Sequence, residues 1–218
     1  MKPTQRTRLN RRPERGSHEL DAVFAILDEA LICHIGFSHD NQPYVLPTTH
    51  ARIADRLYVH GSVASRMLKT LRGGVPVCVT VTLVDGLVLA RSAFHHSMNY
   101  RSAVILGTAV EVTDPAHKRQ AFDALVEHIV PGRTAQVRAA NEQELKATAV
   151  LCLPIAEASA KARTGPPIDL EDDYALPCWA GVVPLAMQAR TPVADPRLAP
   201  GVAPPAEVAA YRRAPQEG

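Results

Sequence analysis

The chain has little of what would mark several common protein classes. Its apolar runs, such as Ala103–Leu106, are far too short to span a bilayer. The first residues are basic but contain no apolar stretch of the kind a signal peptide needs. A cytoplasmic location is therefore expected. Aromatic residues make up only 5%, with a single tryptophan, Trp179. The four cysteines, Cys33, Cys78, Cys152 and Cys178, include no C-x-x-C pair, and three lie inside apolar strand-like runs. They read as buried thiols of a reducing compartment rather than a disulfide framework or a zinc site. No G-x-G-x-x-G or Walker loop appears, so a standard NAD or ATP site is unsupported, and no G-x-S-x-G marks a serine nucleophile. There are no internal repeats.

What is present is ordinary for a globular protein: 218 residues, 46% apolar and 21% charged, with a net charge of +2. The charge is uneven. Residues 1–16 carry six Lys/Arg and only Glu14, a local net of +5, so the remainder sums to about −3. Such an arm can touch RNA or acidic lipid. The expectation preferred here is a solvated tail, or arginines packed on acidic neighbours, with nucleic acid and membrane left out as partners.

Hydrophobic periodicity divides the rest. Ser17 followed by Leu20, Val23, Phe24 and Leu27 predicts a capped helix with one apolar face. Strands are predicted over 31–37, 44–53, 57–60, 75–82 and 86–92, separated by turn residues at 39–41, 54–55, 73–74 and 85–86. A short helix is expected over 63–71, capped by Ser62. Another strand is read over about 102–112, then a helix opened by Asp114-Pro115 and closed by Pro131-Gly132. Residues 142–148 look helical, 149–155 extended, 164–178 a loop, and 179–188 a final strand. Beyond Arg190 six prolines argue for an extended or disordered tail. Three parts follow: a basic arm over 1–16, a domain over 17–189, and a Pro/Ala-rich tail over 190–218. About seven short strands in hairpin-like succession point to a closed antiparallel barrel with flanking helices, mainly β, and away from a Rossmann sheet.

Three constellations carry possible chemistry. His60-Gly61-Ser62-Val63-Ala64-Ser65-Arg66 lies where a strand gives way to a helix. Unpaired N–H groups there, with the hydroxyls of Ser62 and Ser65 and the fork of Arg66, suit a phosphate. The plainer alternative is a helix cap with a surface arginine. Pro47, Thr48 and Thr49 put polar groups into an otherwise apolar strand that can line a ligand groove, although threonine is also a common β-former. The run Phe94-His95-His96-Ser97-Met98-Asn99-Tyr100-Arg101-Ser102 is unusually polar between two apolar stretches. Adjacent strand histidines face opposite sides, and no carboxylate or cysteine is near in sequence, so no metal is expected. A histidine lining a ligand pocket, with Arg101 and Ser102 assisting anion binding, competes with a polar loop of satisfied histidines.

Read in order, QPYVLPTTHAR, LYVHGSVASRMLK, CVTVTLVDGLVLARSAFHHSMNYRSAVILGTA and AKARTGPPIDLEDDYALPCWAGVVPL resemble the pyridoxamine 5′-phosphate oxidase-related flavin-binding proteins, in the nitroimidazole-reductase-like branch. The resemblance covers roughly residues 12–188. It implies a six-stranded antiparallel split β-barrel and a homodimer with FMN at the subunit interface. It assigns the FMN phosphate to Ser65 and Arg66, the ring to Pro47, Thr48 and Thr49, and further contacts to Tyr100, Arg101 and Ser102; His60 and Ser62, from the helix-start segment, and Trp179 complete the expected cofactor-binding set. It implies a flavoprotein oxidoreductase acting on a small organic substrate; His95 or His96, facing the substrate side and donating a proton, is the candidate catalytic residue. The cofactor would carry the redox chemistry, so no acid–base dyad is needed. Two positions depart from the oxidases proper. Met67 follows the Ser-Arg pair where they have lysine, and Trp179 is followed by Val183-Pro184-Leu185 rather than their substrate-binding arginine. Both point away from pyridoxamine phosphate as substrate. The alternative is a non-catalytic carrier or sensor of the same fold, holding flavin, haem or a deazaflavin.

Overall fold

A computed structural model describes residues 1–212. Helix α1 (Leu20–Glu29) buries Val23, Ile26 and Leu27, the face its periodicity predicts. Ser17 does not cap it. That residue ends a two-residue strand, β1 (Gly16–Ser17), and its Oγ accepts the Glu19 N–H at 3.1 Å.

Strands β2 (Ile32–His39) and β3 (Gln42–Ile53) form a hairpin whose turn residues, Asp40 and Asn41, both have positive φ. Such residues adopt that conformation readily, and its twist matches that of the flanking strands. β3 continues through Ala54-Asp55 into β4 (Arg56–Ser62), as its turn residues predict. Helix α2 (Arg66–Arg72) follows, starting three residues later than expected because Ser65, not Ser62, holds the N-cap position.

The largest departure is β5 (Pro76–Leu89). Asp85-Gly86 predicts a turn between two strands, yet the strand runs on with a bulge between Val84 and Gly86. Long-range pairing overrides the local signal. β6 (Ser97–Thr108) lies against β5 over nearly its whole length, and β10 (Gly181–Pro184) covers the second half of its other edge. A Cβ on Gly86 would lie 3.0 Å from Val182 Cγ1 and 3.1 Å from the Val183 carbonyl. The glycine therefore serves close strand approach rather than a turn.

After β7 (Val110–Glu111), Asp114 caps α3 (Pro115–Ile129) by accepting the His117 N–H at 2.7 Å. Asn141 and Glu144 make a reciprocal capping box on α4 (Glu142–Ala147). The chain then forms β8 (Thr148–Pro154) and β9 (Ala158–Arg163). β9 was not read from the sequence, because Ala-Ser-Ala-Lys-Ala-Arg has low strand propensity.

The sheet has ten strands rather than six, in the order β1-β9-β6-β5-β2-β3-β4-β8-β7, with β10 on β5. β8 and β9 are consecutive in sequence yet sit near opposite ends of that path. The short link at 155–157 therefore curls the sheet on itself, with Leu106 N–H donating to the Glu157 carbonyl and Ile155 N–H to that of Asp55. The antiparallel, split-barrel character is as expected.

Inside the curl, Leu27, Ile35, Leu57, Leu68, Leu71, Val79, Val81, Ile105 and Leu151 form one core. Each such side chain contributes about 1.5–3 kcal/mol through burial. Tyr58, Val112, Ala121, Val150 and Cys152 form a second cluster.

The basic arm is docked. Thr7 is buried, Arg6 pairs with Glu157, and β1 adds to β9. The predicted final strand shortens to β10. Residues 190–212 include one short helix, α5 (Ala206–Ala209), and the rest of the predicted tail lies outside the described residues. Among the described residues, no helix is long and apolar enough to cross a membrane.

Candidate functional site

The structure sorts the expected site residues into three places. The first is the start of α2. Ser65 occupies the N-cap with extended backbone and makes no side-chain capping bond. Its N–H donates to the Ser62 carbonyl at 2.9 Å, and Ser62 Oγ accepts the Ala64 N–H at 3.2 Å. Arg66 is exposed, and its guanidinium carbon lies 4.5 Å from the centroid of the Tyr44 ring. Among the described residues no carboxylate or other acceptor engages Arg66. A cation held on an aromatic face, a serine hydroxyl without a capping bond and the first N–H groups of a helix thus lie together, the kinds of donor an anion would use. Tyr44 was missed in the sequence because its role depends on β3 passing beside α2. His60 precedes this corner on β4, half-buried, with its ring edge against Phe122 at 5.8 Å; burial pushes its pKa down.

The second place is the sheet. On β2 and β3, His34 is opposite Pro47 and Ile32 is opposite Thr49. Residues directly opposite share a sheet face, so these four lie together on the outer face. Thr48 points the other way and is half-buried. On β6, Tyr100 is opposite Val84, and Ser102 Oγ donates to the Lys161 carbonyl at 3.3 Å.

Arg101 behaves differently from expectation. Nε and Nη2 donate to Asp85 at 3.0 and 2.8 Å, Nη2 also donates to Glu29 at 2.9 Å, and Nη1 reaches the second Glu29 oxygen. The hydrogen bonds it donates to Glu29, and then to Asp85, raise its pKa. Its guanidinium is committed to two carboxylates that close the end of α1 onto the β5 bulge, so it is a structural clasp rather than a phosphate ligand. The sequence held no sign of this, because all three residues meet only through the fold.

The third place is the turn over 91–96. His95 Nδ1 lies 2.9 Å from Ser92 Oγ, and His96 Nδ1 donates to the Ser92 carbonyl at 2.9 Å. The segment 164–179 packs here. Asp169 accepts the Arg91 N–H and Nη1, both at 3.0 Å, and Tyr174 lies under the Arg91 guanidinium at 4.8 Å. Asp169 and Asp173 bring carboxylate oxygens to His95, all ligand atoms lying within 4.8 Å of one another. The carboxylates absent near His95 in sequence are thus supplied from 74 and 78 positions away. Asp169 already has the Arg91 cation as its partner. Arg163 is buried and donates to the carbonyls of Gly165 and Pro166 at 3.3 and 3.1 Å, which fixes the start of this segment. Trp179 is exposed, with its ring over Gly181, where a Cβ would lie 2.9 Å from it.

A groove of about 610 Å³ runs beside the second place, walled by Ile32, His34, Leu83, Val84, Leu185 and Met187, with the Arg101 clasp at its edge.

Comparison with known proteins agrees with this architecture. The chain is similar to the flavocytochrome Anf3 from Azotobacter vinelandii at 42% identity, with 96% of this chain and 98% of that one covered and a TM-score of 0.90. It is similar to the FAD and haem binding protein from Mycobacterium smegmatis at 39% identity, covering 89% and 95%, with a TM-score of 0.86. A protein from Bacteroides thetaiotaomicron assigned to 5-nitroimidazole antibiotic resistance shares the fold at 24% identity, covering 67% and 85%, with a TM-score of 0.55. No curated protein matches. The family model for pyridoxamine 5′-phosphate oxidase matches residues 19–162. The chain therefore belongs to the pyridoxamine 5′-phosphate oxidase-like family.

Proposed function

We propose that this chain is a flavin-binding redox protein, with the flavin phosphate at Ser65 and Arg66, that also takes up haem. The observation that carries the reading is its likeness, over nearly the whole length of both chains, to a flavocytochrome. The relative described as binding FAD and haem supports the same pairing. The residues present fit the phosphate part. Ser65 Oγ has no capping duty, and Arg66 has no anionic partner among the described residues.

FMN, the flavin implied by the sequence resemblance, and FAD share the phosphate next to the ribityl chain, which is the group this corner suits. The Mycobacterium smegmatis relative favours FAD. When bound, flavin supplies one- and two-electron transfer. The chain's part is to hold the phosphate at α2 and present the β3 edge at Pro47 and Thr49 to the ring.

Oxidoreductase activity on a small organic molecule, with His95 or His96 toward the substrate, is part of the proposal. So is a homodimer with the cofactor at the subunit interface. Val45, 65% exposed on the outer sheet face, supplies apolar surface for such an interface.

The test is to purify the protein, release its chromophore by denaturation and weigh it. The reading expects the mass of FAD, with FMN as the narrower alternative, and a haem alongside. A colourless protein that takes up neither flavin on addition counts against it.

A further inference from the structure

We infer that the groove beside β2 is a metalloporphyrin site with His34 as the iron ligand. This rests on the haem part of the proposed function and names where in this chain that group binds.

The argument begins with an accounting of the nine histidines. Seven have hydrogen-bond partners within the protein. His18 meets the Thr7 carbonyl, His50 that of Leu27, His128 that of Ala30 and His96 that of Ser92. His39 meets Thr70, His95 meets Ser92 Oγ, and His117 meets the Tyr58 hydroxyl. His60 is packed on Phe122, and its Nδ1 is sealed from solvent. His34 alone among the described histidines is exposed in a groove with no hydrogen-bond or ion-pair partner. A partner on one ring nitrogen does not bar the other from a metal, so what singles out His34 is that it is the one histidine lining this groove, with both ring nitrogens open.

The surroundings suit a large flat apolar group. Ile32, Leu83, Val84, Leu185 and Met187 wall the groove, and its volume of about 610 Å³ lies within the roughly 300–1,000 Å³ typical of cofactor sites. The charged lining groups, Glu29, Asp85 and Arg101, are bound to one another. Apart from these, His34 and Thr82, the lining is apolar. β2 alternates so that Cys33 and Ile35 face the core while Ile32 and His34 face out, which holds the imidazole on a rigid strand.

The register adds a functional consequence. His34 lies directly opposite Pro47, and Ile32 opposite Thr49. Strands in such a pair run about 4.8 Å apart. A group held by His34 would therefore stand on the sheet face that carries Pro47 and Thr49, the residues proposed for the flavin ring.

The experiment compares haemin uptake by the full-length wild type, His34→Ala, Ile32→Trp and His39→Ala, by absorbance of the ferric and dithionite-reduced proteins. His34→Ala is expected to lower haem affinity by roughly tenfold or more and to change the position of the Soret band. Added imidazole should restore the wild-type spectrum. Ile32→Trp should block uptake by filling the groove with His34 intact, and His39→Ala should match the wild type. Far-UV circular dichroism and thermal unfolding, measured on the same samples, show that each variant is folded. Haem binding in His34→Ala with an unchanged spectrum overturns the ligand assignment and leaves the haem reading standing. A wild type that takes up flavin but no haemin overturns both.

Discussion

The Arg66 guanidinium sits 4.5 Å above the Tyr44 ring, so the first residue of α2 is held against the hairpin strand β3 by a cation on an aromatic face. This contact orients the charged group at the proposed phosphate corner. Replacing Arg66 by alanine removes a charge-assisted hydrogen-bond donor, and flavin affinity is expected to fall by about 1.5–3 kcal/mol. Arg66→Lys should recover part of it, since the charge returns without the planar fork. Tyr44→Leu should cost less, about 0.5–1 kcal/mol. Quenching of flavin fluorescence on titration measures all three.

Arg101 was expected from the sequence to bind an anion, and the structure gives it Glu29 and Asp85 instead. Arg101→Ala should therefore lower stability while flavin affinity is retained. The group is partly exposed, so the loss should fall between that of surface and buried pairs, about 1–3 kcal/mol. Urea unfolding of the variant measures it. Lost flavin with unchanged stability would restore the phosphate role.

The segment 164–179 should loosen in acid. Burial works to raise the Asp169 pKa, but the bonds from Arg91 and the Ser92 N–H hold it below the ordinary 3.8. A depressed carboxylate contributes its stability above the unfolded value, and loses it as pH falls from there through the folded value. Emission from Trp179, the single tryptophan, should thus stay constant near neutrality and change below about pH 4. Asp169→Asn should show the acid-like emission at neutral pH.

Thiol labelling should discriminate sharply. Burial pushes the Cys33 thiol up to about 12 and raises that of Cys78, whereas Cys178 is exposed. An alkylating reagent applied to the native protein at neutral pH should modify Cys178 first, with Cys33 reacting only after unfolding. Peptide mass mapping reads the order.

The sequence carried local signals well. Asp40-Asn41 and Asp114-Pro115 form the turn and helix start that their chemistry predicts, and α1 buries the predicted face. Local signals failed where distant strands decide. Asp85-Gly86 reads as a turn but is a bulge held between β6 and β10, and β9 has too little strand propensity to be seen alone. The proposed phosphate corner could be read from sequence because Ser62, Ser65 and Arg66 lie within one short segment. His34 could have been found from its place in Ile32-Cys33-His34-Ile35, a polar residue on the outward alternation of an apolar strand. Its groove could not, because Leu83, Val84 and Met187 reach it only through the sheet. Likewise, Asp169 and Asp173 join His95 across more than seventy positions.

The central claim is flavin binding at the Ser65–Arg66 corner. Its most direct test is the visible spectrum of the purified wild type and Arg66→Ala after incubation with excess flavin and gel filtration. The account predicts flavin absorbance comigrating with the wild type and reduced in the variant. A wild type that emerges colourless, or a variant that retains flavin as fully and tightly as the wild type, would contradict it.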